Sequence, residues 1–341
     1  MQPLSIGLVG CGRVGRSLVR LLSRHAGLRL AAIEELADPE AVRYLLEFDT
    51  LLGRSTDGVR AIEGGLEIGG SRVKLLRPPA EGVPPWGELG VSVVIEATGK
   101  PRSRRAFEAH LEAGARRVVV CSPSVEPPDL TLVAGVNGDR LQPGHRIVSV
   151  GSVTSNCAGP ILKVLARELG IERAFLTTVH AFSNQLRLAD VAAPDQRSGR
   201  AAGENIIPQE TNADEVLAEL IPELAGRISG LAIHVPVPNG SVVDLTCWHP
   251  RPVTVEEVNG AIRAACQGEL AGLIAWETAP IVSSDILHTP WSGTFDSLST
   301  MVVGDQVSKT LTFYDNAWGY ANRVVELVER LAAFERQGVG A

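Results

Sequence analysis

The sequence predicts an α/β fold in two domains: an N-terminal doubly wound parallel sheet, then an α+β domain with a mostly antiparallel sheet. Three observations carry this expectation. The first part of the chain alternates short apolar runs with amphipathic helical segments, the pattern of strand–helix–strand units. From residue 152 onward the runs become longer and lose their regular intervening helices. The chain has 341 residues, 45% hydrophobic and 21% charged, enough to bury two cores.

The first element is the apolar run Ile6-Gly7-Leu8-Val9, which leads into Gly10-x-Gly12-x-x-Gly15 and an apolar-periodic helix over 17–24. Gly10 permits a tight turn, Gly12 lets a pyrophosphate approach the backbone, and Gly15 lets the helix pack on the strand. In this strand-to-helix context the motif predicts a Rossmann dinucleotide site. The strand 28–33 ends at Glu34-Glu35, where a carboxylate can accept hydrogen bonds from the ribose hydroxyls and repel a 2′-phosphate. NAD is therefore expected over NADP, although two solvated glutamates ahead of a helix starting near Asp38-Pro39 would read the same way. Strands at 91–95 and 117–121, with the helix 103–113 between them, imply parallel pairing. Further strands are expected at 175–181, 230–236, 241–248 and 309–314, and a long amphipathic helix at 317–334.

Composition excludes several classes of function. A formal net charge of −7 and the lack of any Lys/Arg run argue against nucleic-acid or anionic-membrane partners. The N-terminus passes straight into a strand and no window approaches eighteen apolar residues, so a cytoplasmic protein is expected. Five widely spaced cysteines without a Cys-x-x-Cys predict neither disulfides nor a metal site.

The segment from Ser149 to Cys157, SVGSVTSNC, follows a β-rich run over 145–149 and enters an apolar helix over 158–169, with Ser152 or Thr154 as cap. A cysteine at such a helix N-terminus would be a reactive thiolate. Val153 offers no lone pair.

Ordered blocks along nearly the whole chain now carry a family resemblance. They include Tyr44-Leu45-Leu46-Glu47-Phe48-Asp49, Glu96-Ala97-Thr98-Gly99, Thr177-Thr178-Val179-His180-Ala181, Val235-Pro236-Val237-Pro238-Asn239 and Tyr314-Asp315-Asn316-x-Trp318-Gly319-Tyr320. The chain resembles phosphorylating glyceraldehyde-3-phosphate dehydrogenases. That resemblance implies an NAD domain over 1–152, completed by the helix 317–334, and a catalytic domain over 153–316. It also implies a homotetramer in which the loop 182–202 reaches across a subunit interface.

The family's active segment reads S-N-A-S-C-T-T-N-C, which sets Val153 on the nucleophile without a gap. The resemblance makes His180 the catalytic histidine and Cys157 the second, non-catalytic cysteine, expected to be a buried structural thiol. It assigns Ser152, Thr154 and Thr211 to inorganic phosphate, and Ser183 and Arg200 to the substrate phosphate or its neighbourhood. His234 takes the place of a family arginine and Asn212 that of a glycine. On the cofactor side it implies Gly10, Gly12, Arg13, Val14, Gly15, Glu35, Arg77, Thr98 and Gly99, with Asn316 and Tyr320 orienting the nicotinamide.

The expected function is an NAD-dependent oxidoreductase of a small phosphorylated alcohol or carbonyl compound, working without an acyl-enzyme. The alternative is a catalytically inactive NAD- or metabolite-binding homologue acting as a sensor or partner subunit. A conventional dehydrogenase with only its nucleophile substituted is disfavoured, because Val150, Gly151, Asn212 and His234 depart from the pattern as well.

Overall fold

The computed structural model describes residues 3–184 and 186–336, which divide into two compact units. One unit comprises the chain up to Leu132, residues 139–150 and the chain from Ala321; the other comprises 133–138 and 151–320. The short 133–138 segment departs from the division expected from sequence. Val133 and Val136 are buried in the hydrophobic core of the second unit, and Lys163 Nζ donates to the Val136 carbonyl at 2.6 Å. Burial of these two valines, which periodicity could not assign to one core or the other, holds the segment there.

The first unit is built on a sheet of nine strands among the described residues, in the order Leu130–Thr131, Ile147–Ser149, Arg117–Val120, Val93–Glu96, Leu4–Val9, Leu28–Glu34, Ser71–Leu76, Gly65–Ile68 and Val59–Ile62. The strands from Leu130–Thr131 through Ser71–Leu76 are parallel, and an antiparallel meander closes the edge. The chain winds outward in both directions from Leu4–Val9, so the strand order reverses between that strand and Val93–Glu96. Ligands bind in the crevice at such a switch point, outside the carboxyl ends of the strands. The central strands read as almost unbroken Val/Ile/Leu runs because both their faces are covered: Ile6, Leu8, Val93, Val94, Ile95, Val118 and Val119 are fully buried.

The second unit carries a sheet of seven strands among the described residues: Ile207–Gln209, Ile228–Val235, Arg173–Ala181, Ser241–Trp248, Val307–Tyr314, Gly293–Val303 and Ile274–Glu277. The pairing is antiparallel except between Ile228–Val235 and Arg173–Ala181 and between Gly293–Val303 and Ile274–Glu277, so the sheet is mixed. Helices Val153–Leu169, Ala213–Leu220 and Val255–Gln267 contribute Ile161, Leu162, Leu165, Leu217, Val258 and Ile262 to one core with Leu176, Val243 and Leu245 of the strands. The parallel register of Arg173–Ala181 and Ile228–Val235 sets His180 directly beside His234.

Candidate cofactor and catalytic sites

In the first unit the glycine loop has the geometry its spacing predicts. Gly10 sits at φ +90°, and a Cβ there would stand 2.9 Å from the Thr98 Cα. A Cβ on Gly15 would come within 2.3 Å of the Gly10 carbonyl oxygen, so only glycine lets the helix Arg13–Leu22 start this close to the loop. The helix begins four residues earlier than the apolar pattern suggested, directly after Gly12. Gly12 is its N-cap and offers no side-chain hydrogen bond, and a Cβ added there would meet nothing within 4 Å. The N-terminal N–H groups of this helix thus open on the space that a phosphate would enter.

Glu35 is engaged differently from the sequence expectation. One carboxylate oxygen accepts the Cys11 N–H at 2.7 Å, and the other accepts the Leu36 and Ala37 N–H groups at 2.8 and 3.4 Å. The residue therefore ties the glycine loop to the end of the second strand, besides lying where a ribose carboxylate belongs. Beside it, burial raises the Glu34 carboxyl above its usual range. Thr98 donates through N–H and Oγ1 to the buried Glu96 carboxylate, and Gly99, at φ +69°, donates its N–H to Ser122 Oγ at 2.9 Å. Arg77 is exposed, with its guanidinium 3.9 Å from Asp38. An open helix end, a loop only glycine can form and a carboxylate at the second strand end fit a dinucleotide.

In the second unit, Ser152 is the N-cap of the Val153–Leu169 helix. Its side chain accepts from the Ser155 N–H at 3.0 Å, while Ser155 Oγ accepts the Ser152 N–H at 2.9 Å, completing a capping box. Val153 is the first helical residue, half-buried and packed on the core. Of the two expected caps Ser152 is the one observed, and the helix starts five residues before the apolar run from Ala158. Cys157 is fully buried; burial pushes its thiol well above the usual range, and Sγ faces the Thr312 carbonyl at 3.7 Å. The burial expected for this thiol is observed.

His180, near the end of its strand, holds Nδ1 2.7 Å from the Ala181 carbonyl oxygen. The carbonyl can only accept, so a neutral ring making this contact donates from Nδ1 and has Nε2 unprotonated. The Asn316 Nδ2 lies 3.2 Å from Nδ1, the His234 ring centroid is 5.0 Å away and the Tyr314 ring 6.1 Å. Tyr314 Oη in turn meets Thr154 Oγ1 at 3.3 Å, so these contacts connect His180, Tyr314 and the first turn of the helix. His234 is pulled below the ordinary histidine range by burial, and among the described residues its Nδ1 has no hydrogen-bond partner. Tyr320 donates its hydroxyl to the Gly151 carbonyl at 3.0 Å.

The remaining phosphate candidates are engaged within the protein. Thr211 Oγ1 accepts the Ala213 N–H at 3.1 Å at the start of the Ala213–Leu220 helix, and Arg200 pairs with Asp190 at 3.1 Å. The Ser183 carbonyl accepts the Leu186 N–H at 3.1 Å. Sequence reasoning missed Asn239, Ser241 and Asp315 as members of the His180 surroundings. The available signal was their polarity at buried positions.

An open parallel sheet with a glycine loop at its switch point defines a dinucleotide-binding protein, and the second unit adds a histidine-bearing mixed sheet. Comparison with known proteins identifies the class further. The NAD binding domain of glyceraldehyde 3-phosphate dehydrogenase matches residues 4–104, and the C-terminal domain of the same family matches 152–316. The chain is 40% identical over 338 residues to glyceraldehyde-3-phosphate dehydrogenase of Geobacillus stearothermophilus, covering 97% of this chain and 99% of that protein. It is 42% identical over 331 residues to the Streptomyces coelicolor protein of that name, covering 96% and 98%. It is also 39% identical over 336 residues to the one from Mycolicibacterium smegmatis, covering 96% and 98%. The chain belongs to the glyceraldehyde 3-phosphate dehydrogenase family, and its cofactor is NAD.

Proposed function

We propose that this family member is an NAD-dependent oxidoreductase that passes hydride to or from a small phosphorylated alcohol or carbonyl compound without forming an acyl-enzyme. The observation that carries this reading is Val153 at the first position of the helix, on the motif position of the nucleophile, with the neighbouring Cys157 sealed in the core. Acyl transfer needs a thiolate that can reach the carbonyl carbon, and neither side chain supplies one. Direct hydride transfer needs only a base for the hydroxyl proton. His180 Nε2 takes that role: it accepts the proton of the substrate alcohol as the carbonyl forms, and returns it in the reverse direction.

NAD, when bound, supplies the hydride acceptor. The residues that the family likeness proposes for holding it are Gly10, Gly12, Arg13, Val14, Gly15, Glu35, Arg77, Thr98 and Gly99, with Asn316 and Tyr320. Ser152, Thr154, Ser183, Arg200, Thr211 and His234 would receive the substrate and its phosphate. With His234 for an arginine, a neutral imidazole takes the place of a permanently charged fork, so a phosphate is held less tightly. A cytoplasmic homotetramer is proposed on the family likeness.

The same observations favour a second reading. The ion pair of Arg200 with Asp190 and the neutral His234 suit a metabolite-binding homologue without turnover, acting as a sensor or partner subunit. Screening NAD reduction against phosphorylated alcohols, sugars and hydroxy acids separates the two. The oxidoreductase reading expects at least one substrate, with His180→Ala slowing its turnover about 100-fold or more. Bound NAD with no turnover across the panel would instead select the sensor.

A further inference from the structure

Glu96 ends the central strand Val93–Glu96 at the switch point of the first sheet and is buried. A buried carboxylate is tolerated where it is paired and hydrogen-bonded. Here Oε1 accepts the Thr98 N–H at 3.1 Å, the Thr98 hydroxyl at 2.5 Å and the Ser122 hydroxyl at 3.3 Å, with Arg102 Nε 4.0 Å away. The other oxygen, Oε2, faces His110 Nε2 at 3.8 Å. Trp86 decides which ring nitrogen carries the proton. Its indole N–H can only donate and meets His110 Nδ1 at 2.9 Å, so the N–H of the imidazole is Nε2, on the side of Glu96. Burial acts to raise the Glu96 carboxyl, but the imidazole and the Thr98 donors outweigh it and hold the group below its usual range.

This arrangement suits a carboxylate and no amide. A glutamine at 96 would turn its NH₂ either on the donors of Thr98 and Ser122 or on the His110 N–H, whereas an ionised glutamate accepts on both sides. What it holds is the segment that follows the strand. Ser122, having given its proton to Glu96, accepts the Gly99 N–H at 2.9 Å, with Gly99 at φ +69°. The carboxylate thus fixes two consecutive N–H groups, that of Thr98 directly and that of Gly99 through Ser122. The same segment abuts the glycine loop: a Cβ on Gly10 would stand 2.9 Å from the Thr98 Cα and 3.0 Å from its N, so the turn has no room for a displaced Thr98.

The geometry points to Glu96 as a positioning residue for NAD: from inside the sheet its carboxylate holds Thr98 and, through Ser122, Gly99 in their places beside the glycine loop, with His110 and Trp86 bracing it from behind. The inference rests on the proposed placement of NAD against Thr98 and Gly99, and not on the role of His180. A segment already held in its binding shape needs no ordering when the ligand arrives, and one that is competent only part of the time weakens affinity in proportion.

The test pairs NAD calorimetry with hydrogen exchange of the full chain, read by mass spectrometry over residues 97–100. Glu96→Ala should raise the NAD Kd about 10-fold and speed exchange of the Thr98 and Gly99 amides about 10-fold, while those of Val93 to Ile95 keep their natural rates. Glu96→Gln, which keeps one oxygen for Thr98, should stay within about 3-fold of the natural Kd, and Ser122→Ala, which releases Gly99 alone, should raise it about 3-fold. Phe107→Leu thins the buried cluster under the same helix Arg104–Glu112 that carries His110, without touching Glu96; it should lower thermal stability and leave the Kd unchanged. A faster exchange spread evenly over the sheet in Glu96→Ala, or an equal loss of affinity in Phe107→Leu, would overturn the inference, because either marks lost stability rather than lost position. So would a natural Kd in folded Glu96→Ala or, should that variant not fold, a natural Kd and natural exchange in Ser122→Ala. If NAD does not slow exchange over 97–100 in the natural protein, the placement of the cofactor falls and the inference with it; if NAD slows it there and the Glu96→Ala Kd is natural, the role of Glu96 alone falls.

Discussion

The chain contains two helix N-termini that look alike in sequence and are finished in opposite ways. The Arg13–Leu22 helix starts at Gly12 with no side-chain cap, and the space a Cβ would fill there is open. The Val153–Leu169 helix starts at Ser152 and closes on itself through a reciprocal capping box with Ser155. The first end leaves its orphan N–H groups to an outside partner; the second satisfies two of them, those of Ser152 and Ser155, from within. An open end suits a dinucleotide that the chain still binds. A self-capped end carrying Val153 suits the proposed reading, in which this segment folds without thiol chemistry.

The comparison can be broken by exchanging what each end lacks. Gly12→Val puts a branched side chain into open space at a φ of −71°, which any residue adopts. Its effect on folding should stay within roughly 0.5 kcal/mol. NAD affinity measured by calorimetry should nevertheless fall about 100-fold, roughly 2.7 kcal/mol, because the pyrophosphate would no longer reach the backbone. Unchanged affinity would detach the cofactor from this loop. Ser152→Ala should do the reverse and with a smaller effect. Loss of the cap costs about 1 kcal/mol in denaturant unfolding, and NAD binding should be unaltered. If Ser152→Ala proved neutral in stability, the second helix end would be no more self-contained than the first.

The sequence was informative where local chemistry decides structure and silent where distant parts of the chain meet. The glycine loop is legible because its spacing is confined to one strand-to-helix turn, in which Gly15 packs on the Gly10 carbonyl five residues back. Two helix starts lie ahead of the apolar runs that follow them, for one shared reason. Their first turns, Arg13 to Arg16 and Val153 to Cys157, are too polar to join an apolar periodicity, and side chains such as Ser155 and Asn156 bond the adjacent Ser152 backbone. The strand Gly293–Val303 was hidden by its Ser/Thr content and by a bulge between Asp296 and Met301, where Asp296 accepts from the Leu298 N–H.

Glu35 was assigned from its spacing, yet its grip on Cys11 depends on the register that sets Glu34 beside Val9. The contacts of Ser241 lay beyond any local pattern, since its partners Ala181 and Asn316 are 60 and 75 residues away.

The central claim is that the chain keeps the NAD site of its family without the acyl-forming thiol. Intact-mass measurement of the purified protein, quenched after mixing with NAD and glyceraldehyde 3-phosphate, tests it most directly. The account predicts an unmodified mass in a sample that calorimetry shows to be saturated with NAD. An acyl adduct on Cys157, Ser152 or any other residue under those conditions would contradict it.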